Sequence, residues 1–359
     1  MEEKKRILNM VKEGKLTVEE ALLLLEQLDQ KKNDNGFSTS SYTSGPYADA
    51  KHHSIKMASL KEKLVDFFDM AVKKVKEFDF QFANAFEVKH IFQQSDAKLR
   101  EIDVYIANGN IKMIPWDQAE VRVECEAKVY RSESADAARR AFIEEAVFLV
   151  RDGCLRFSVS KPFMKTDVII YIPKTSIQDA KFRLLNGNIN IEDVHTDKLH
   201  IKNVNGSMML YRLAGKEAEL ETANGAIVLE RNTFEEVEAE TIHGEIKLDG
   251  HYRYARLRTF SGAIAYAMER EDGVVTGKTV TGDITLLLPR DICLEGEMRT
   301  NLGGLVCRHP NAFLVEEKQE TAQKAIRFQC QNSAKPPFHI YAESKAGSVS
   351  LYAAGGGDQ

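Results

Sequence analysis

No run in this chain reaches the roughly eighteen consecutive apolar residues of a membrane-spanning helix. The longest strongly apolar patch, Ala21–Leu25, is little more than one helical turn. The N-terminal MEEKKRILNMVKEG lacks the basic head, apolar core and small-residue cleavage site of a signal peptide. Cytoplasmic residence is the expectation, with membrane association and non-classical export to the surface left open. Excess positive charge is missing too. Lys and Arg number 49 against 54 Asp and Glu, a formal charge of -5, which argues against a general nucleic-acid binder. The five cysteines, Cys125, Cys154, Cys293, Cys307 and Cys330, form no short paired metal spacing. Their odd number fits a reducing compartment, and most are expected as buried thiols acting as small hydrophobes. Histidine is sparse at nine residues, and the adjacent pair His52 and His53 has no further ligand residues around it. Gly303-Gly304 and Gly355–Gly357 lack the lysine and helix context of a phosphate loop. No catalytic residue, cofactor or metal is expected.

Against these absences stands a phrase that keeps returning. It reads Asn-Gly-Asn-Ile at 186–189, Asn-Gly-Ser-Met at 205–208, Asn-Gly-Ala-Ile at 224–227 and His-Gly-Glu-Ile at 243–246. Ser-Gly-Ala-Ile follows at 261–264 and Thr-Gly-Asp-Ile at 281–284. The step is about 19 residues, and a fixed period of that size marks a repeat architecture. Apolar residues alternate with polar ones on both sides of each glycine, as half-buried strands require. The fold class is therefore mainly β: a solenoid or β-helix-like stack of about 19-residue coils, preceded by helical segments. Superposing the coils puts Ile189, Met208, Ile227, Ile246, Ile264 and Ile284 in one interior column. Gly109, Gly187, Gly206, Gly225, Gly244, Gly262, Gly282 and Gly347 are the expected structural turns. Glycine is suited to such corners because it adopts positive φ at little cost. A row of tight Asn-Gly hairpins is the alternative reading.

The rest of the chain divides by composition. Residues 1–29 read as a helical hairpin, with Thr17-Val18-Glu19-Glu20 as a capping box and Leu24 and Leu28 on an apolar face. So short a unit needs a partner, and a second copy is the natural one. Residues 30–54, rich in Ser, Thr, Gly and Asn, form a flexible linker. Residues 55–90 are an amphipathic helical segment, with Phe67, Phe68 and Val75 on one side and Lys73 and Lys74 on another. Such a face suits packing and oligomerisation, or contact with an anionic membrane surface. The β-repeat domain spans 91–352, with an inserted helix near 134–149 that turns Ala138, Phe142, Ala146 and Leu149 inward. Residues 311–335 are expected as a loop or edge excursion, and 353–359 as a flexible tail.

Lys12-Glu13-Gly14-Lys15-Leu16-Thr17-Val18-Glu19-Glu20-Ala21 resembles the short helical hairpin modules found at the ends of many bacterial envelope-associated proteins. Asn224-Gly225-Ala226-Ile227-Val228-Leu229 and Thr281-Gly282-Asp283-Ile284-Thr285-Leu286 carry a second resemblance. They are similar to the bacterial β-strand-repeat family labelled "putative adhesin", a domain of unknown function. Together the two resemble the YvlB and LiaX type of Gram-positive protein. That resemblance implies a role in the cell-envelope stress response, with an envelope-stress regulatory protein as a partner. It supplies no catalytic residues.

Within the repeat, Arg253, Arg256 and Arg258, with Tyr252 and Tyr254, are the strongest candidate interaction patch, and Glu235, Glu236, Glu238 and Glu240 read as a solvated edge. The functional expectation is a non-enzymatic, self-associating interaction scaffold at the membrane periphery. A glycan-binding or glycan-modifying solenoid is the alternative.

Overall fold

The computed structural model describes residues 85–320, 323–330 and 336–354. The expected hairpin at 1–29, the linker at 30–54 and the helical segment up to residue 84 lie outside them. So do Leu24, Leu28, Phe67, Phe68, Lys73, Lys74 and Val75, and residues 355–359 of the tail.

The body is a stack of coils, each made of one strand, a corner that is glycine in all but the outermost at one end, and a second strand. Strands before the corner form a first wall, and strands after it form a second. In the first wall Ile177–Asn186, His195–Asn205 and Ala214–Asn224 run parallel, with Phe182 beside Ile201 and Ile201 beside Leu220. In the second wall Ile189–Glu192 and Met208–Tyr211 run parallel in the same way, with Ile189 beside Met208. Parallel register at each Asn-Gly excludes the row of hairpins, whose strands would pair antiparallel. The predicted interior column is buried from Ile189 to Ile284 and extends to Val168, Ile111 and Val349. Each such aliphatic contributes roughly 1.5–3 kcal/mol on burial.

The corners explain the glycines. A Cβ on any of the eight expected turn glycines would lie between 1.9 and 2.1 Å from the backbone oxygen of the neighbouring corner. At Gly206 the backbone also takes φ 132°, but Gly244 needs no such conformation. Close approach of backbone to backbone is thus the general requirement, and positive φ an addition at some corners. Gly303 is a ninth such glycine, stacked on Gly347. Each missing Cβ would point toward the same end of the stack. Thr166 occupies the last corner at that end and keeps its side chain.

A hydroxyl ladder backs the corners. Thr241, Thr259 and Thr279, each three residues before a glycine, donate to the carbonyls of Gly225, Gly244 and Gly262 at 3.2, 3.1 and 3.1 Å. Ser344 and Thr300 do the same for Gly282 and Gly347 at 2.8 and 2.7 Å. Asn203 takes this place two coils before Thr241 and donates to the carbonyls of both Gly187 and Gly206 at 2.9 Å. The carbonyls that the corners turn inward are thereby satisfied.

Chain order and stacking order differ at both ends. The first coil, Glu101–Asn108 with Ile111–Trp116, lies between Cys154–Val159 with Met164–Pro173 and Ile177–Asn186 with Ile189–Glu192. The last coil, Phe338–Ser344 with Val349–Ala353, is inserted between Val274–Thr281 with Ile284–Leu288 and Leu294–Thr300 with Leu305–Arg308. The first and last coils of the chain are each held on both sides.

Several boundaries shift from expectation. Ala85–Gln94 is a strand antiparallel to Val121–Tyr130, so residues 85–90 belong to the β body and not to the helical segment. The inserted helix is Ala135–Glu145, capped by the Ser134 hydroxyl, which accepts the Ala137 N–H at 3.2 Å. It ends where the alternating, β-favouring run Ala146–Arg151 begins, and Leu149 is 46% exposed rather than inward. The excursion after 311 contains an antiparallel hairpin, Phe313–Glu320 with Gln323–Gln329. Cys293 and Cys330 are paired as a disulfide, while Cys125, Cys154 and Cys307 are free. The expectation of free buried thiols fails for that pair because the hairpin returns the chain to its point of departure.

Candidate functional site

The outer face of the first wall is a charge lattice. Glu217, Glu219 and Glu221 on one coil stand directly beside Glu236, Glu238 and Glu240 on the next. Like charges in register repel, so each acidic coil is neutralised by the basic coil on its other side. Lys198 lies 3.1 Å from Glu217, His200 3.0 Å from Glu219 and Lys202 3.0 Å from Glu221. Across the second boundary Arg256 lies 3.1 Å from Glu238, and Arg258 contacts both Glu238 and Glu240.

Glu221 and Glu240 are buried, which corrects the reading of Glu240 as part of a solvated edge. Burial raises both carboxyls above the ordinary value, against the opposing pull of Lys202 on Glu221 and Arg258 on Glu240. Burial acts the same way on Glu219, but hydrogen bonds from Glu221 and His200 and the Lys202 charge outweigh it and hold Glu219 low. A raised carboxyl binds its proton more tightly in the fold. The stability that Glu221 and Glu240 contribute is therefore present below the ordinary value of 4.5 and lost as pH rises through their folded values. A Glu221→Gln/Glu240→Gln variant is expected to gain stability relative to the parent as pH rises from 4.5 toward 8. Urea denaturation across that range measures the difference, and a constant gap would contradict these assignments.

The structure divides the predicted arginine patch. Arg256 and Arg258 belong to the lattice, Arg253 lies over the Tyr254 ring at 5.5 Å, and Tyr252 is fully buried with its hydroxyl donating to the Asp249 carbonyl at 3.1 Å. The patch is thus partly self-engaged and has one aromatic fewer than expected. The signal for the lattice was present in the sequence as two Glu-x-Glu-x-Glu runs one coil apart.

The second wall differs. Lys112 pairs with Glu192 at 3.2 Å and Lys247 with Glu230 at 3.3 Å. Further along, Ala265, Ala267, Thr285, Leu287, Ser350 and Tyr352 alternate with buried residues over three adjacent coils and carry no charge. A cleft of about 610 Å³ crosses the beginning of this wall, between Lys89, Ile91, Lys112, Glu126 and Asp167. Its polar groups already bond each other: Lys89 to Glu126 at 2.6 Å and Asn110 to Asp167 at 2.7 Å. Burial pushes the Cys125 thiol beneath it up to about 12, so it stays protonated at neutral pH. Among the described residues no cluster of three His, Cys, Asp or Glu is placed to hold a metal ion.

Residues 99–344, most of the stack, match the Toastrack DUF4097 family. The chain belongs to that family. Residues 2–33 match a SHOCT-like domain, where a helical hairpin is expected from the sequence. The Toastrack chain is 39% identical to "Uncharacterized protein YvlB" of Bacillus subtilis, over 98% of each chain. Among solved structures it is similar to a "putative lipid binding protein" from Parabacteroides distasonis, with a TM-score of 0.40 and 12% identity over 75% of this chain and 95% of that one. A "putative adhesin" from Bacteroides fragilis gives a TM-score of 0.39 and 15% identity, over 74% and 96%. The repeat, the β-solenoid class and the membership of a β-strand-repeat family thus agree with the sequence reading.

Proposed function

We propose that this Toastrack protein is a non-enzymatic interaction scaffold of the bacterial cell-envelope stress response. It self-associates through residues 1–29 and lies at the cytoplasmic periphery of an anionic membrane through residues 55–79. The observation that carries this reading is the form of the body: a side-chain-filled stack with a charge-paired wall on one side and a neutral stretch of wall on the other. Such a body offers extended surface to a partner. The neutral coils from Ala265 to Tyr352 suit a broad, flat protein contact, because little charge must be desolvated there. The envelope role itself rests on what the resemblance of the sequence to the YvlB and LiaX type implies.

Full-length protein tests it. Leu24→Asp/Leu28→Asp is expected to reduce the assembled mass in light scattering and leave the β signal in circular dichroism unchanged. Lys73→Glu/Lys74→Glu is expected to lower sedimentation with phosphatidylglycerol vesicles by at least about fivefold, since each juxtamembrane charge is worth roughly 1 kcal/mol. Unchanged mass and unchanged sedimentation would remove the basis for this assignment.

A further inference from the structure

We propose that Cys293 and Cys330 form a reversible disulfide clasp at the neck of the C-terminal excursion, and that opening it loosens residues 294–329 while the rest of the stack stays closed. Cys293 immediately precedes the strand Leu294–Thr300, and Cys330 immediately follows the strand Gln323–Gln329. Their Cα atoms are 5.3 Å apart at a sequence separation of 37, within the span a disulfide bridges. The clasp therefore closes the whole excursion into one loop, at the level where the last coil enters: the Cys293 carbonyl accepts the Phe338 N–H at 2.7 Å.

The excursion is the part of the stack that depends most on a tether. Among the described residues its outer strand pairs on one side only, and Phe313, Leu314 and Val315 on that strand are 41%, 56% and 59% exposed. Elements with few buried apolar contacts open first. A link that closes a loop removes freedom from the opened state.

The two sulfurs differ in access. Cys293 is buried and Cys330 half-buried, so exchange takes place at Cys330. With a low-molecular-weight disulfide as oxidant, the Cys330 thiolate attacks one of its sulfurs and releases one small thiolate. The Cys293 thiolate then attacks Cys330 Sγ and expels the second. Two protein thiols are oxidised, one external disulfide is reduced to two thiols, and the two protein protons pass to the departing thiolates. An excess of small thiol runs the sequence backward. Cys125, Cys154 and Cys307 stand apart as free thiols. A closed clasp suits an oxidising environment, whereas a reducing cytoplasm keeps it open.

Full-length protein equilibrated in glutathione buffers, quenched in acid and alkylated, tests the first half of the proposal. In oxidised buffer three thiols should be labelled, with the Cys293 and Cys330 peptides joined; in reduced buffer all five should be labelled. Hydrogen exchange on the same samples tests the second half. Reduction should speed exchange across 294–329 by about tenfold or more and leave 177–268 unchanged. Cys293→Ser/Cys330→Ser should exchange like the reduced parent in both buffers. Should that variant fail to fold, the reduced and oxidised parent still decide the matter. Five labelled thiols in oxidised buffer, a different cysteine pair, or equal exchange in the two buffers would overturn the proposal.

Discussion

Gly244→Ala is expected to destabilise the stack by more than about 4 kcal/mol, beyond the range of ordinary substitutions. The new Cβ would lie 2.0 Å from the Gly225 carbonyl oxygen and 2.6 Å from its carbon. Both are backbone atoms, held by the parallel register of Ile227–His243 and Ile246–Ser261. No flexible side chain can move aside, so relief requires separating two coils and giving up their hydrogen bonds. Gly304→Ala is the control. Its nearest neighbour would be the Ser348 hydroxyl at 3.6 Å, an ordinary contact, and the expected cost is under about 1 kcal/mol. Urea denaturation of both variants checks the contrast. Similar costs would show that the corners do not stack as described.

Phe142→Ala is expected to cost about 3–5 kcal/mol. Phe142 is fully buried on the helix Ala135–Glu145, which packs on Ala85–Gln94 and covers the first end of the stack. Its ring sits 6.5 Å from Phe92, which also neighbours Phe148 and Phe157. Truncation removes the transfer energy of the ring and leaves a cavity among partners fixed on three strands. Faster hydrogen exchange in 85–94 and 146–159 should accompany the loss. A cost below about 1 kcal/mol would mean that the helix does not seal that end.

These two residues show where the sequence was readable. Ala138 and Phe142 announced an inward helix face, and the beat from Gly187 to Gly282 announced corners, because both patterns follow from local geometry repeated at fixed spacing. Gly109 stands far from Gly187 in sequence, outside the beat of about 19 residues, yet the two corners are direct neighbours. The chain between them leaves the stack to build an outer coil and returns. Gly303 is absent from the expected turns for the converse reason, since it stacks on Gly347 rather than on the glycine before it in sequence. Coil order at the ends is set by long-range pairing, on which a local period is silent. The same holds for Cys293 and Cys330, which become neighbours only when the hairpin folds back.

The candidate surfaces were legible in part. Alternation identified outward positions, and Arg256 and Arg258 were found that way. Burial of Glu221 and Glu240 was not, because it depends on the partners each meets across the coils, Lys202 for the first and Arg258 for the second. Tyr252 was misplaced for a related reason: it lies on the inner side of a strand that bends from one wall to the other.

The scaffold rests on the interleaved ends, which hold the first and last coils between neighbours. Cysteine cross-linking tests this most directly. Thr285 and Ser350 are register partners in the second wall, and Ser350 in turn partners Val306. Thr285→Cys/Ser350→Cys should oxidise to a disulfide found by peptide mapping, since adjacent strands lie about 4.8 Å apart. Thr285→Cys/Val306→Cys should not, because two strand spacings exceed the roughly 7 Å limit for bridging. Cross-linking of 285 to 306 in place of 350 would mean that the coils stack in chain order, and would contradict the fold described.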